Sequence, residues 1–477
     1  MKVKKSCFLE QKKPWLKELL DELLKQYPYA SILAVDCEST NYQVGKMTTS
    51  MTQSALLANR GFVIKAYDGT AYAEYSFNDL TPEKIPQILQ ELQESAFDLK
   101  GAAGEQQIGE YGMLEDEPCV FSQSTEYETA PEDLGDERIL AELTKIKDAG
   151  LAVDDRIINC NLNFSYQKYS KLFLSRNRDM EQNVMWTNGG MSISVKKGQE
   201  VKFSYQGFSN LGGVELLDSM MAAVDDVARN ALDLLEAEPM VPGEYDCICT
   251  PGVTGMIAHE AFGHGVEMDM FVKDRALAQS YVGRQVASPL VTMHDGAGAG
   301  AHPETATYFF DDEGVLSTDT VIIRDGILQT GISDAQSAMK LGTRPTGNGR
   351  RESYRRKAYT RMTNTYFEAG TDSVEDMIAS ISYGFLLDNA MSGMEDPKNW
   401  GIQMMVNIAR EIRDGKLTGK VFSPVVLTGY VPDLLKSITM MSDKEELCGS
   451  GFCGKGYKEW VKVSDGGPYI KAKIRLG

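Results

Sequence analysis

Histidine is scarce in this chain, with four in 477 residues, so two of them placed close together carry information. The eight cysteines (Cys7, Cys37, Cys119, Cys160, Cys247, Cys249, Cys448, Cys453) are scattered along the sequence. That excludes the dense disulfide framework of a small secreted protein and leaves reduced thiols, which are free to bind metal. No run of about 18 apolar residues occurs, which excludes a membrane-spanning helix. The lysine-bearing start, Met1 to Lys13, leads into Trp15-Leu16-Lys17-Glu18 and not into an apolar stretch with a cleavage site, so no secretory signal is read and a cytoplasmic location is expected. Positive charge is also short: 49 Lys and Arg stand against 68 Asp and Glu, a net −19. Such a chain is repelled by phosphate backbones and anionic membranes, so neither nucleic acid nor membrane is expected as a direct partner. Internal repeats and low-complexity tracts are missing.

What is present is globular. Hydrophobic residues make up 42% and charged residues 25%, and the length exceeds what one core ordinarily serves. Pro14 can open a helix with Leu16, Leu19, Leu20, Leu23 and Leu24 at helical spacing. Strand-like stretches follow at 31–36 and 61–67, and a second helix from Pro82 to about Glu94. Residues 105–137 turn acidic and polar and read as a surface loop. Residues 152–207 read as short strands in a meander, with turns at Asn188-Gly189-Gly190 and Lys197-Gly198. One long helix should follow, its stripe marked by Val214, Leu217, Met221, Val224, Ala228, Ala231, Leu232 and Leu235, and ended by Pro239 and Pro242-Gly243. The fold class expected is α+β. An amino-terminal sheet-and-helix domain, 1–238, with a separable middle part near 150–238, should precede a β-rich domain, 239–477. There Cys247 and Cys249 share one face of a strand and a core, Thr250 can cap the next helix, and Asp325-Gly326 and Asp414-Gly415 read as hairpin turns. Ser373 with Asp376 resembles a capping box for a helix ending near Gly384.

The second domain carries the chemistry. His259-Glu260-Ala261-Phe262-Gly263-His264 offers two imidazoles for a metal and a carboxylate that can take a proton from an attacking water, the residue types of zinc hydrolysis. The common spacing is four residues; here it is five, which on a regular helix turns the two rings roughly 140° apart. A single widened π-type turn would reunite them, and Gly263 and Gly265 permit such a distortion or a helix end.

From the expected long helix onward the chain resembles the TldD/PmbA family. The matching stretches are Pro242-Gly243-Glu244-Tyr245-Asp246, Pro251 to Asp269, Phe310-Asp311-Asp312-Glu313-Gly314, Thr346-Gly347-Asn348-Gly349-Arg350, Arg361-Met362-Thr363-Asn364-Thr365 and Cys453-Gly454-Lys455-Gly456. Gly61-Phe62-Val63-Ile64-Lys65 is a weaker match to the family's amino-terminal domain. The histidine segment points to the TldD-like metallopeptidase branch. The resemblance implies Zn2+ held by His259, His264 and Cys453, with Glu260 as general base, acting on unfolded or extended peptides. It further implies a homodimer or a heterodimer with a PmbA-like paralogue. It also carries an alternative, a non-catalytic, metal-containing module of the gyrase-modulator type. The tail departs from the family after Lys455, where Tyr457-Lys458-Glu459-Trp460 stands.

Other features remain open on sequence grounds. The basic stretch Arg344, Arg350, Arg351, Arg355, Arg356, Lys357 and Arg361 suits a peptide carboxylate or internal salt bridges equally. The glycine-rich 295–301 reads as a loop near the site, bordered by His294 and His302. Asp311-Asp312-Glu313 reads as an exposed turn. Cys448, Glu267, Asp269 and His302 compete chemically with Cys453 as a third ligand.

Overall fold

A computed structural model describes residues 1–54, 58–97, 111–298, 302–457 and 459–477. Part of the acidic 105–137 segment and residues 299–301 of the glycine-rich loop therefore lie outside the described residues. The fold is α+β, built on two large sheets.

The first sheet has eight strands and is centred on Tyr29–Val44 and Ile157–Ser175. Its centre is buried on both faces, and the two-residue period of a strand shows against what. Ala30, Ile32 and Ala34 pack with Leu16, Leu19 and Leu23 of the helix Cys7–Gln26. Leu33, Val35 and Cys37, on the other face, pack with Phe310 and Tyr354 from the second half of the chain. The helix begins before Pro14: Ser6 caps it by accepting from Leu9 N–H at 3.1 Å, and buried Leu9 extends the apolar stripe one turn upstream. Pro14 therefore sits inside the helix, where tertiary burial outweighs its missing hydrogen bond.

Two further expectations change in this half. Asn188-Gly189-Gly190 is no turn but lies within the strand Arg178–Lys197. Its glycines make room instead, since a Cβ at Gly189 would lie 2.6 Å from the Met220 sulfur and one at Gly190 2.3 Å from Asn163 Oδ1. The expected long helix is broken at Ala223 into Leu216–Ala222 and Val224–Asp233, so that Met220 is buried while Met221 faces outward. The Lys197-Gly198 turn forms as read, with Gly198 at φ +63°.

The second sheet has eleven strands. Ser464–Leu476 pairs with both Val425–Tyr430 and Gly243–Cys249, so these three strands, with Gly401–Arg413 and Tyr383–Asp396, close into a ring. Closure removes exposed edges over most of the ring. Cys247 and Cys249 lie in its core. The turns Asp325-Gly326 and Asp414-Gly415 form with positive φ at all four residues, and Ser373 caps a helix that stops at Ala379, short of Gly384. Thr250 stands at the N-terminus of the helix Pro251–Met256, but its hydroxyl bonds Asp388 and not the helix. Among the described residues no helix is long and apolar enough to cross a membrane.

Asp311-Asp312-Glu313 is not an exposed turn: the three are 2%, 5% and 8% exposed, and they join the two halves. Glu313 pairs with Lys65, Asp312 with Lys171, and Glu74 of the first sheet takes Arg351 through both carboxylate oxygens at 2.6 and 2.9 Å. A buried acid survives in such a place only because cations and backbone N–H groups face it. Burial alone would raise the Glu74 carboxyl, but Arg351 and Lys65 hold it down at about 2. Its folded value lies below its unfolded one, so the stabilisation is present above the ordinary carboxylate range and is lost as pH falls through about 2. Glu74→Gln is therefore expected to destabilise the protein by about 3 kcal/mol at pH 7. Urea denaturation at pH 7 and at pH 3 checks this; the gap between parent and variant should narrow at the lower pH.

Candidate metal centre

The helix that leaves Pro251 does not stay regular. Ile257–Gly263 is a π-helical segment, and His264 N–H donates to His259 C=O, five residues back. That wider turn puts the two imidazoles on one side with ring centroids 5.1 Å apart. Gly263 is helical, with φ −58°, so it is not needed as a helix breaker. It is needed for space, because a Cβ there would lie 2.2 Å from the Met362 sulfur.

Cys453 reaches the same point from a two-stranded hairpin, Phe452–Lys455 against Glu459–Lys462. One ligand atom each from His259, His264 and Cys453 lie within 4.8 Å of one another, and the Cys453 Sγ to His264 Nε2 distance is 3.5 Å. Burial alone would raise the Cys453 thiol, but the two histidines hold it well below its usual range. The thiolate is the metal-binding form. His259 Nδ1 is buried with no hydrogen-bond partner among the described residues. A soft donor set with an unsatisfied imidazole nitrogen fits a tetrahedral zinc ion with a position left open.

Supporting residues surround this trio. Glu267 accepts from the other side of His264, Nδ1 to Oε2 at 3.3 Å, and Lys455 bridges Glu267 at 3.0 Å and Asp269 at 2.7 Å. Such a carboxylate behind a ligating histidine fixes its tautomer and ring orientation. Glu267 and Asp269 are thus neighbours of the cluster and are tied to Lys455. Burial pushes the Glu260 carboxyl up, against the nearby histidines, and burial raises Asp465 to about 6. Lys455 was legible in Cys-Gly-Lys-Gly but unassigned; Asp465, brought in by the last strand, left no local signal.

The remaining candidates lie elsewhere. His294 bonds Asp319 at 3.0 Å and Glu368 at 2.8 Å, and His302 pairs with Glu445 at 2.6 Å. Cys448 contacts Ser209 and Gly207 C=O, and burial raises its thiol. The basic stretch divides: Arg344, Arg355, Arg356 and Lys357 are exposed, whereas Arg351 is buried against Glu74 and Arg361, 1% exposed, donates to the C=O groups of Glu459 and Cys453. Arg361 therefore braces the hairpin that presents Cys453.

Residues 242–475 match the PmbA/TldA metallopeptidase C-terminal domain. The carboxyl-terminal half of this chain belongs to the PmbA/TldD family. A metalloprotease TldD homolog of Haemophilus influenzae is 36% identical over 54% of this chain and 53% of its own length. A metalloprotease of Methanothermobacter thermautotrophicus is 29% identical over 59% and 61%, so the matches span between half and two thirds of these curated relatives. A zinc metalloprotease TldD homolog of Saccharolobus solfataricus is 29% identical over 55% of this chain and 60% of its own. The fold extends further than the sequence likeness. TldE from Thermococcus kodakarensis superimposes with a TM-score of 0.74 over 96% of this chain and 99% of its own at 18% identity. A Thermotoga maritima protein described as a candidate modulator of DNA gyrase gives 0.76 over 97% and 100% at 16%.

Cys453→Ser is expected to lower zinc affinity at least about tenfold, since a neutral hydroxyl replaces a thiolate, while Cys448→Ser leaves zinc content near the parent's. Metal analysis after dialysis against graded chelator measures both. Normal zinc retention in Cys453→Ser would remove Cys453 from the ligand set.

Proposed function

We propose that the protein is a zinc-dependent peptidase acting on extended or unfolded peptides. The observation that carries the reading is the convergence of His259, His264 and Cys453 beside the Glu260 carboxylate. Zinc bound by the two imidazoles and the thiolate would supply a Lewis acid for the scissile carbonyl and make water acidic enough to be activated near neutral pH. Glu260 is the general base. It sits between the two histidines in sequence and outside the donor trio, so its carboxylate is free to take the proton of the attacking water and deliver it to the leaving amine. Glu267 and Lys455 keep His264 oriented while that transfer occurs.

The strand Tyr383–Asp396 supports an extended substrate. Its first residues pair on both sides, but beyond Leu387 only Gly401–Arg413 pairs with it among the described residues. Gly393, in that half-paired stretch, lies against Glu260, where a Cβ would be 2.6 Å from Cγ. A peptide can add its backbone to such an edge, which favours chains with free N–H and C=O groups over folded proteins. We also propose a dimer, homomeric or with a PmbA-like paralogue. The edge strand Glu200–Asn210 leaves Val201 and Phe203 about half exposed, an apolar face suited to association.

Glu260→Gln is expected to abolish chelator-sensitive cleavage of casein, at least about a thousandfold, while zinc content stays near the parent's. Turnover retained in the variant would remove Glu260 from the chemistry. A parent without chelator-sensitive cleavage, alone and with any PmbA-like partner, would favour the non-catalytic module instead. The charge of −19 gives a second expectation. At physiological salt the protein should show no sub-micromolar, salt-sensitive binding to duplex DNA by fluorescence anisotropy.

A further inference from the structure

The face of the first sheet that meets the second half of the chain does not close completely. A cavity of about 80 Å³ remains, lined among others by Tyr169, Lys171, Trp186, Tyr308, Arg351 and Lys462. Its wall is shared with the metal centre. Phe452 pairs with Lys462, and Cys453 with Val461, in one hairpin. Side chains alternate along a strand, so Cys453 turns to the metal cluster and its neighbour Phe452 turns with Lys462 the other way.

Hydrogen-bond accounting around this cavity leaves donors in surplus. Lys462 is buried, and among the described residues its one side-chain hydrogen bond is to Asn188 Oδ1 at 3.1 Å. Its ammonium lies 4.9 Å from the Trp186 ring and 4.4 Å from that of Phe452. No carboxylate among the described residues forms an ion pair with it. Glu304, whose charge reaches it, accepts from Thr305 N–H at 2.9 Å. Arg351 gives its terminal nitrogens to Glu74 and Arg356 C=O, and its Nε–H is buried without an acceptor among the described residues. The acids of the lining are already engaged. Asp311 accepts the N–H groups of Glu313, Val315 and Gly349, while Asp312 takes Lys171 and Arg351 N–H. Glu352 accepts from Trp460 N–H. Burial pushes the Lys462 ammonium down to about 7, against the opposing pull of Cys448 and Glu304. A cavity bordered by an ammonium that has one hydrogen bond and no ion pair among the described residues, and by aromatic walls, is complementary to a small anion.

We propose that this cavity is a carboxylate subsite beside the metal centre, with Lys462 as the anchor of a carboxylate carried by the peptide. The substrate assignment rests on the peptidase reading; the anion-binding chemistry does not. The carboxylate can be the α-carboxylate of the peptide or an acidic side chain.

Calorimetry on the full-length zinc-loaded Glu260→Gln variant tests this without turnover. The probes are an acetylated tripeptide of neutral residues with a free carboxyl terminus, its carboxyl amide, and an amide in which one residue is Glu. Either carboxylate-bearing probe should bind roughly 30-fold or more tighter than the neutral amide, the usual consequence of removing one partner of a buried charge pair. Preference for the free acid alone identifies the α-carboxylate, and preference for the Glu-bearing amide identifies a side chain. Adding Lys462→Met should bring that ratio close to one, and Lys462→Arg should restore part of it. A ratio near one in the starting protein, or a ratio unaltered by Lys462→Met, overturns the proposal. A carboxylate preference that depends on Lys462, in a parent protein without chelator-sensitive hydrolysis, would sustain the subsite and overturn the peptidase reading alone.

Discussion

His259 and His264 are five positions apart, and a regular α-helix would hold their rings on different sides. The π-helical turn over Ile257–Gly263 resolves that conflict. Wide turns are intrinsically poor, so this one must be held by its surroundings. Met362 fills the space that Gly263 leaves, Gly393 lets a strand pass against Glu260, and the closed ring of strands fixes the helix from which the turn departs. The wide turn is thus stabilised by tertiary packing at the place where the cluster's side chains converge.

The third side chain of the cluster comes from far away in sequence, and its delivery is equally a matter of packing. Cys453 sits on a short hairpin braced by Arg361, which reaches the C=O groups of both Cys453 and Glu459. Lys455, two residues beyond the cysteine, joins the same hairpin to Glu267 and Asp269 below the histidines. The basic stretch, which suited ligand docking and internal salt bridges equally, thus serves as internal scaffolding through its buried members Arg351 and Arg361. In that respect the acidic Asp311-Asp312-Glu313 is its counterpart, since it ties the second half of the chain to Lys65 and Lys171 of the first. The two halves meet across charged pairs as well as across Phe310 and Tyr354. At such a boundary small cavities lined by leftover donors arise naturally, and the one beside Lys462 is of this kind.

Local chemistry was enough for several readings. The α+β class, the hairpins at Asp325-Gly326 and Asp414-Gly415, the Ser373 cap, the core role of Cys247 and Cys249, and the need for a widened turn all follow from neighbouring residues, where steric and hydrogen-bonding preferences act over a few positions. Elements failed where distant burial overrode a local preference. Pro14 lies inside a helix because Leu9 is wanted in the core; Gly189 and Gly190 lie inside a strand because Met220 and Asn163 need the room; Asp311, Asp312 and Glu313 are buried because cations from another sheet meet them.

By itself the sequence determined the reagents: two histidines flanking a glutamate, reduced cysteines, strong acidity and no apolar span. The convergence of Cys453 rather than Cys448 on the histidines, the placing of Glu267, Lys455 and Asp465 around them, and the pairing of Arg351 with Glu74 were decided by the tertiary structure. The physical reason is distance along the chain. Chemistry within a turn or a hairpin is written in adjacent residues, whereas a centre assembled from segments almost two hundred residues apart depends on which strands pair, and that is set by the burial of the whole core.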